Sequence, residues 1–191
     1  MDLEIRSSET ITAAVVADTH IPDRVKHLHQ GLVPALRSIQ PDYIFHAGDI
    51  SHKRVLDELE EVAPVFAVRG NRDFLFSKTL PVNRELNLNG VRVYLTHGHI
   101  NPYHYWKDKL ENLIYGYRID RYHRRLLTAE PGADVYIFGH SHHAENQLRD
   151  ERLFFNPGSC SVAEKPDFRL SFGIIRFYQD GEVKGEIIAL E

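Results

Sequence analysis

The sequence predicts an α/β fold in which two β-sheets pack face to face with helices on the outside. Three observations predict it. Strand-like apolar runs alternate with helical stretches over the first half, and hairpin signatures crowd the second half. The 191 residues, 42% hydrophobic and 26% charged, also suit one soluble globular domain, 1–191, rather than a disordered or fibrous chain.

The elements follow in order. Residues 11–17 form a continuous β-branched apolar run, as expected of a strand buried on both faces. Pro22 and Asp23 open an expected helix to about Ile39, stopped before Pro41. Residues 43–45 read as a second strand. Ser51 reads as the cap of a helix to Glu61, with Leu56 and Leu59 inward, and residues 64–68 read as a third strand. This βαβαβ order implies parallel pairing with right-handed crossovers. Asn89-Gly90 joins 86–88 to 91–95 with the signature of a type I′ turn. Residues 135–138 supply another strand. Asp150-Glu151 joins 143–148 to 153–155, and Asp180-Gly181 joins 171–178 to 183–189. Between 101 and 130 lies an expected helical insertion, aromatic and basic, where Trp106, Leu110, Leu113, Ile114 and Tyr117 keep helical spacing.

Charge and cysteine content narrow the functional classes. With 23 Lys+Arg against 27 Asp+Glu, the net charge of −4 provides no global basic field, so a nucleic-acid partner is not expected. No apolar run approaches the roughly 20 residues that span a bilayer, and the first ten residues lack a secretory pattern. Cys160 is the single cysteine, which excludes an internal disulfide framework and a thiolate-rich zinc cluster. A cytoplasmic location and no membrane partner are the expectations. The unusual count is 12 histidines.

Several of these histidines fall where strands end. The expected strands finish in Asp18-Thr19-His20, Gly48-Asp49, Gly70-Asn71, His97-Gly98-His99 and Gly139-His140-Ser141-His142. Ligands of open α/β sheets bind beyond the carboxyl ends of strands, so these residues are expected to converge. Asp18 and His20, like His140 and His142, are two apart and would point the same way in extended chain. The glycines at 48, 70, 98 and 139 permit close backbone approach. Asp18, His20, Asp49, Asn71, His97, His140 and His142 give seven oxygen or imidazole donors and no thiolate. That number exceeds one ion's needs and suits two metals sharing a carboxylate, with Asp49 as the bridge. Two such ions could hold a bridging hydroxide for in-line attack on a phosphate ester while stabilising the charge that develops. The mixed ligation suits Mn²⁺, Fe²⁺, Co²⁺, Ni²⁺ or Zn²⁺, and the donor list alone does not choose among them.

The order Asp18-x-His20, Gly48-Asp49, Gly70-Asn71-x-Asp73, His97-Gly98-His99 and Gly139-His140-x-His142 resembles the calcineurin-like metallophosphoesterase superfamily. The length and the Asn156-Pro157-Gly158-Ser159 turn are similar to its small YfcE-type phosphodiesterase branch. The resemblance implies a four-layer α/β/β/α sandwich of two mixed sheets flanked by helices. It also implies one metal on Asp18, His20, Asp49 and His142, and a second on Asp49, Asn71, His97 and His140. One position departs. Where the superfamily's fuller pattern has a leaving-group histidine, this chain has Arg72, as the YfcE-type branch likewise lacks that histidine. Arginine stays protonated and cannot act as a general acid near neutrality, but it can clamp a phosphate oxygen. The expectation is a phosphodiesterase acting on small phosphate esters, with Asp49, Asn71, Arg72 and His99 in the catalytic set. The alternative is a weakly active or inactive metal-binding scaffold for protein interaction, since the related retromer subunit works as an interaction protein. A nuclease would need a basic groove that only Arg118–Arg125 could supply.

The remaining polar residues carry plainer readings. Asp73 reads as a capping residue, His46 as a satisfied structural histidine, and His27 and His29 as solvated positions on a helix. His104 and His123 read as surface residues, and Cys160 as inert. His52 and His143 lie near the site in sequence and could support it. His99 fits either a phosphate contact or a hydrogen bond to a carbonyl. The 103–125 segment reads as an outer helix, with a lid or a homo-oligomer surface as the sharper alternative.

Overall fold

The apolar run at the start of the chain becomes the centre of a five-stranded sheet. In chain order the elements are β1 (Leu3–Ile5), β2 (Ile11–Val16), α1 (Leu32–Ile39), β3 (Tyr43–His46), α2 (Lys53–Glu60), β4 (Val65–Ala67), β5 (Asn83–Leu88), β6 (Val91–Thr96), α3 (Ile119–Ala129), β7 (Val135–Ile137), β8 (Glu145–Arg149), β9 (Arg152–Asn156), β10 (Ser171–Phe177) and β11 (Val183–Ala189). The computed structural model describes residues 3–5, 7, 9–73, 79–98, 118–163 and 169–191. One sheet has the order β11-β10-β2-β3-β4 and the other β1-β5-β6-β7-β9-β8. Both are mixed: β2, β3 and β4 run parallel while β10 opposes β2, and β6, β7 and β9 run parallel while β5 opposes β6.

Alternation along β2 shows why its whole length is apolar. Ala13 and Val15 face the other sheet, joining Phe45, Leu95, Ile137, Phe155 and Ile175 in the central core. Ala14 and Val16 face outward under α1 and α2, with Leu36, Ile44 and Leu59. On the far side, Tyr122 and Leu126 of α3 cover Tyr136 and Phe154 of the six-stranded sheet and Phe138 just beyond β7. The layers are therefore α/β/β/α. Each fully buried aliphatic side chain, such as Leu36 or Leu59, contributes about 1.5–3 kcal/mol of apolar transfer.

Several boundaries differ from the sequence reading. Residues 21–24 form a turn, and α1 begins only at Leu32. The reason is Pro34. Its ring would clash with the carbonyl four residues back in a longer helix, so it fits only within a first turn. His27 and His29 accordingly precede the helix, and His29 Nδ1 accepts the Gly31 amide at 3.2 Å. The cap of α2 is His52, whose Nδ1 accepts from the Arg54 amide, and not Ser51. Val55 and Leu59 are its buried residues, with Leu56 at the margin. The short β1, parallel to β5, falls within the first ten residues, where the sequence reading placed no strand. The three hairpins stand as read. Asn89 and Gly90 have φ of 51° and 86°, and Asp150 and Glu151 have 47° and 62°, as type I′ turns require.

Candidate metal centre

The seven donors gather at the carboxyl ends of strands from both sheets. Asp18 and His20 follow β2, Asp49 follows β3 and Asn71 follows β4; His97 follows β6, and His140 and His142 follow β7. The convergence matches the sequence reading, but the local geometry does not. Asp18, His20, His140 and His142 have φ of 55°, 49°, 70° and 55°, so they sit in left-handed turns and not in extended chain. Residues two apart then need not share a direction. His142 faces His20 and Asp18, whereas His140 faces Asn71.

Two donor sets result. In the first, His20 Nε2 and His142 Nε2 lie 3.1 Å apart, and Asp18 Oδ1 is 3.4 Å from His142 Nε2 and 3.8 Å from His20 Nε2. In the second, Asn71 Oδ1 lies 2.9 Å from His140 Nδ1 and 3.2 Å from His97 Nε2. Asp49 stands between them, with Oδ1 3.4 Å from His97 Nε2 and Oδ2 3.8 Å from His20 Nε2. Asp18, His20 and His142, and also Asp18, Asp49 and His97, hold their donor atoms within 4.8 Å of one another.

These residues fit divalent cations. Asp18 Oδ1 is buried without a well-formed hydrogen bond, and two imidazole nitrogens meet across 3.1 Å. Buried carboxylates require compensating positive charge. Burial alone would lower the His97 imidazole, but the Asp49 and Asp18 carboxylates overcome it and hold the ring up to about 9. Burial would raise Asp49, yet His97 and the Arg72 amide hold it well below the carboxylate range. Burial likewise opposes ionisation of Asp18, and His142 more than offsets it. His20, where burial wins, falls to about 4 and stays a neutral ligand at neutral pH.

The backbone around the donors fixes their directions. His97 Nδ1 donates to the Ala47 carbonyl at 2.7 Å, which aims Nε2 into the cluster. The Arg72 amide donates to Asp49 Oδ1 at 2.9 Å. Asp73 accepts from the amides of Ile50, Ser51 and Gly70 at 2.7–2.8 Å, tying the Asp49 loop to the Asn71 loop. It is thus a clamp, as its capping reading anticipated. His46 accepts the Gly48 amide on Nδ1 and meets Thr19 Oγ1 with Nε2, both at 3.2 Å. Burial pushes this ring down to about 3, so it is neutral and structural.

Other residues depart from their sequence readings. His123 is not on the surface; it is 2% exposed, stacks on Phe154 at 3.9 Å and meets Glu145 Oε1 with Nε2 at 2.5 Å. Its partner lies 22 residues away, and nothing local in the sequence announces the pair. Arg125 is also engaged, donating to the Gly98 carbonyl at 3.1 Å and lying over Tyr122. Asn156 donates to the Gly139 carbonyl and Ser141 Oγ, and Ser159 Oγ donates to the Asp18 carbonyl, so the 156–159 turn braces two donor loops. Sequence reasoning noted this turn without that role. The Arg72 guanidinium, 34% exposed, pairs with Asp23. His143 Nδ1 meets its neighbour's carbonyl at Ala144. Cys160 is buried, and that burial pushes its thiol up to about 12, leaving it inert. His99, His104 and the helically spaced Trp106, Leu110, Leu113, Ile114 and Tyr117 lie outside the described residues. Among the described residues no helix is long and apolar enough to cross a membrane.

With this geometry in hand, known proteins are informative. Residues 11–179 match the calcineurin-like phosphoesterase superfamily domain. A probable metallophosphoesterase of Methanothermobacter thermautotrophicus is 35% identical over 153 residues, covering 80% of this chain and 79% of that protein. Wild-type Vps29 from Entamoeba histolytica, crystallised with Zn²⁺, is 25% identical with a TM-score of 0.64, covering 94% and 99% of the two chains. The fold is also shared with a structure described as a novel archaeal phosphodiesterase, at a TM-score of 0.60 and 18% identity over 93% and 100%.

Proposed function

The chain belongs to the calcineurin-like phosphoesterase superfamily, and from that premise we propose that it hydrolyses small phosphodiesters at a dinuclear metal centre. The observation that carries the reading is Asp49, whose two oxygens face the His20 set and the His97 set. Asp18, His20, Asp49 and His142 would hold one ion, and Asp49, Asn71, His97 and His140 the other. Two divalent cations, with Mn²⁺ the first expectation, would supply a Lewis acid for the phosphoryl oxygens and a water acidified towards neutrality.

The chain's own residues shape the rest. The Arg72 amide holds Asp49, while its guanidinium lies within reach of Asp23 and leaves that partner to clamp a phosphate oxygen. Arg72 cannot protonate a leaving group, which favours diesters with good leaving groups over monoesters. His99 carries the phosphate-contact role given by its sequence position. Arg72→Ala should therefore lower turnover with metal content unchanged, and unchanged kinetics would remove this role.

The decisive experiment loads purified protein with Mn²⁺ and offers bis-p-nitrophenyl phosphate. Hydrolysis abolished by Asp49→Asn is the expected result. Two bound ions per chain without hydrolysis would sink the enzymatic reading and leave the metal-binding scaffold.

A further inference from the structure

Beside the donor cluster lies a groove of about 290 Å³ that no step so far uses. His142 lines one part of it, so the groove is contiguous with the proposed metal centre. Ala144, Ile187 and Ala189 give it an apolar surface, contributed by the loop before β8 and by the end of β11. Apolar lining demands no hydrogen bonds and suits the hydrocarbon or ring portion of an ester arm. Arg169, just before β10, also lines the groove.

Several arginines elsewhere in the fold are held by carboxylates. Arg92 holds Asp134, Arg149 holds Asp120 and Arg176 holds Glu186. Arg169 is exposed, and among the described residues it makes no ion pair. Among the described residues no carboxylate lines the groove with it. A guanidinium presents a planar fork of donors that matches the two oxygens of a phosphate or carboxylate, and it never deprotonates near neutrality. A histidine of the donor cluster, an apolar stretch and a guanidinium with no ion pair among the described residues thus share one groove.

The geometry points to a subsite for one arm of the diester, in which Arg169 selects substrates bearing a second oxyanion, a terminal phosphate or carboxylate, on that arm. This inference rests on the phosphodiesterase reading and names its substrate class. Arg169 touches only the remote end of the substrate, so it acts on affinity and not on the reacting phosphorus. Its signature is a change in KM confined to doubly anionic substrates.

The test uses Mn²⁺-loaded protein with dithymidine phosphate (TpT), its terminally phosphorylated form (pTpT) and a terminal-carboxylate analogue. The expected result is a kcat/KM about tenfold higher for pTpT than for TpT, carried by KM, which is about one charge-assisted contact in affinity terms. Arg169→Ala should erase that preference and leave TpT unchanged, while Arg169→Lys should keep part of it. A carboxylate analogue that matches pTpT assigns any oxyanion; one that matches TpT assigns phosphate. Equal use of TpT and pTpT by the unaltered protein overturns the proposal, as does a preference that survives in Arg169→Ala or a loss shared by both substrates. If neither dinucleotide is cleaved, the phosphodiesterase reading fails separately. Calorimetry with the non-hydrolysable methylene-phosphonate pair then judges the subsite alone: tighter binding of the phosphorylated analogue, lost in Arg169→Ala, upholds it, and equal affinities overturn it.

Discussion

Gly70 shows how tightly single residues constrain the centre. A Cβ there would lie 2.1 Å from Asp49 Oδ1 and 2.3 Å from the Asp49 amide nitrogen, so any side chain must displace the proposed bridging carboxylate. Gly70→Ala should therefore cut bound Mn²⁺, read by elemental analysis, and lower the unfolding midpoint as well, because the Asp49 backbone must shift. Asp73 acts on the same loops from behind. Replacing it with asparagine removes the charge that three amides share, and a loss of metal affinity of about 10–100-fold is expected by titration, as for other groups that orient ligands. His46 answers to pH instead. Its ring has a pKa of about 3 in the fold against 6.5 in the unfolded chain, so the unfolded state takes up the proton first as pH falls. Its contribution to stability is complete above pH 6.5 and is lost on the way down to about 3. Between pH 6.5 and 5 this amounts to roughly 2 kcal/mol, with His20 adding in the same direction when metal is chelated. Urea unfolding in chelator should show that decline, and His46→Gln should shallow it.

Among the elements, β9 and β10 meet where the two sheets pack. Gly173 of β10 has no side chain because the Phe155 ring of β9 occupies that space; a Cβ would approach the ring to 2.3 Å. Gly173→Ala should destabilise the fold by about 1–3 kcal/mol in denaturant unfolding, as overpacking does, with metal stoichiometry preserved. Contrasting this with Gly70→Ala separates a packing glycine from a site glycine. The strands themselves were legible because their signals are local: β2 is apolar throughout since both faces are covered, and Asn89-Gly90 can supply the positive φ values of a tight hairpin. The donors were legible because each follows a strand. Their orientation was not, because left-handed turns at Asp18, His20, His140 and His142 break the alternation that extended chain would give. The start of α1 is hidden because Pro22 mimics a helix opening while Pro34 sets the real one at Leu32. The His123–Glu145 pair joins α3 to β8 through space, and no spacing rule finds such a contact. The three-residue β1 borrows its order from β5 and carries too little pattern of its own.

On the scale of the whole molecule, the centre sits where the two sheets meet. Asp18, His20, Asp49 and Asn71 come from the five-stranded sheet, and His97, His140 and His142 from the six-stranded sheet. Each proposed ion would take ligands from both, so the cations would cross-link the sheets as well as serve chemistry. The unfolded chain has no such array, and binding is therefore linked to folding. An ion present at about one hundred times its dissociation constant adds roughly 2.7 kcal/mol per site. For a chain of 191 residues, each kcal/mol moves the unfolding midpoint by about 2–4 °C. Saturating Mn²⁺ should thus raise the midpoint by about 5–10 °C for each occupied site over protein in chelator, as read by calorimetry. Asp49→Asn should remove most of that rise, since the lost carboxylate faces both donor sets. His140→Ala should remove only the share of the ion held with Asn71 and His97. Were the midpoint indifferent to Mn²⁺ and to the other candidate cations, the seven side chains would be stabilised by one another alone, with His97 as the cation between the buried carboxylates, and the dinuclear centre would have to be abandoned.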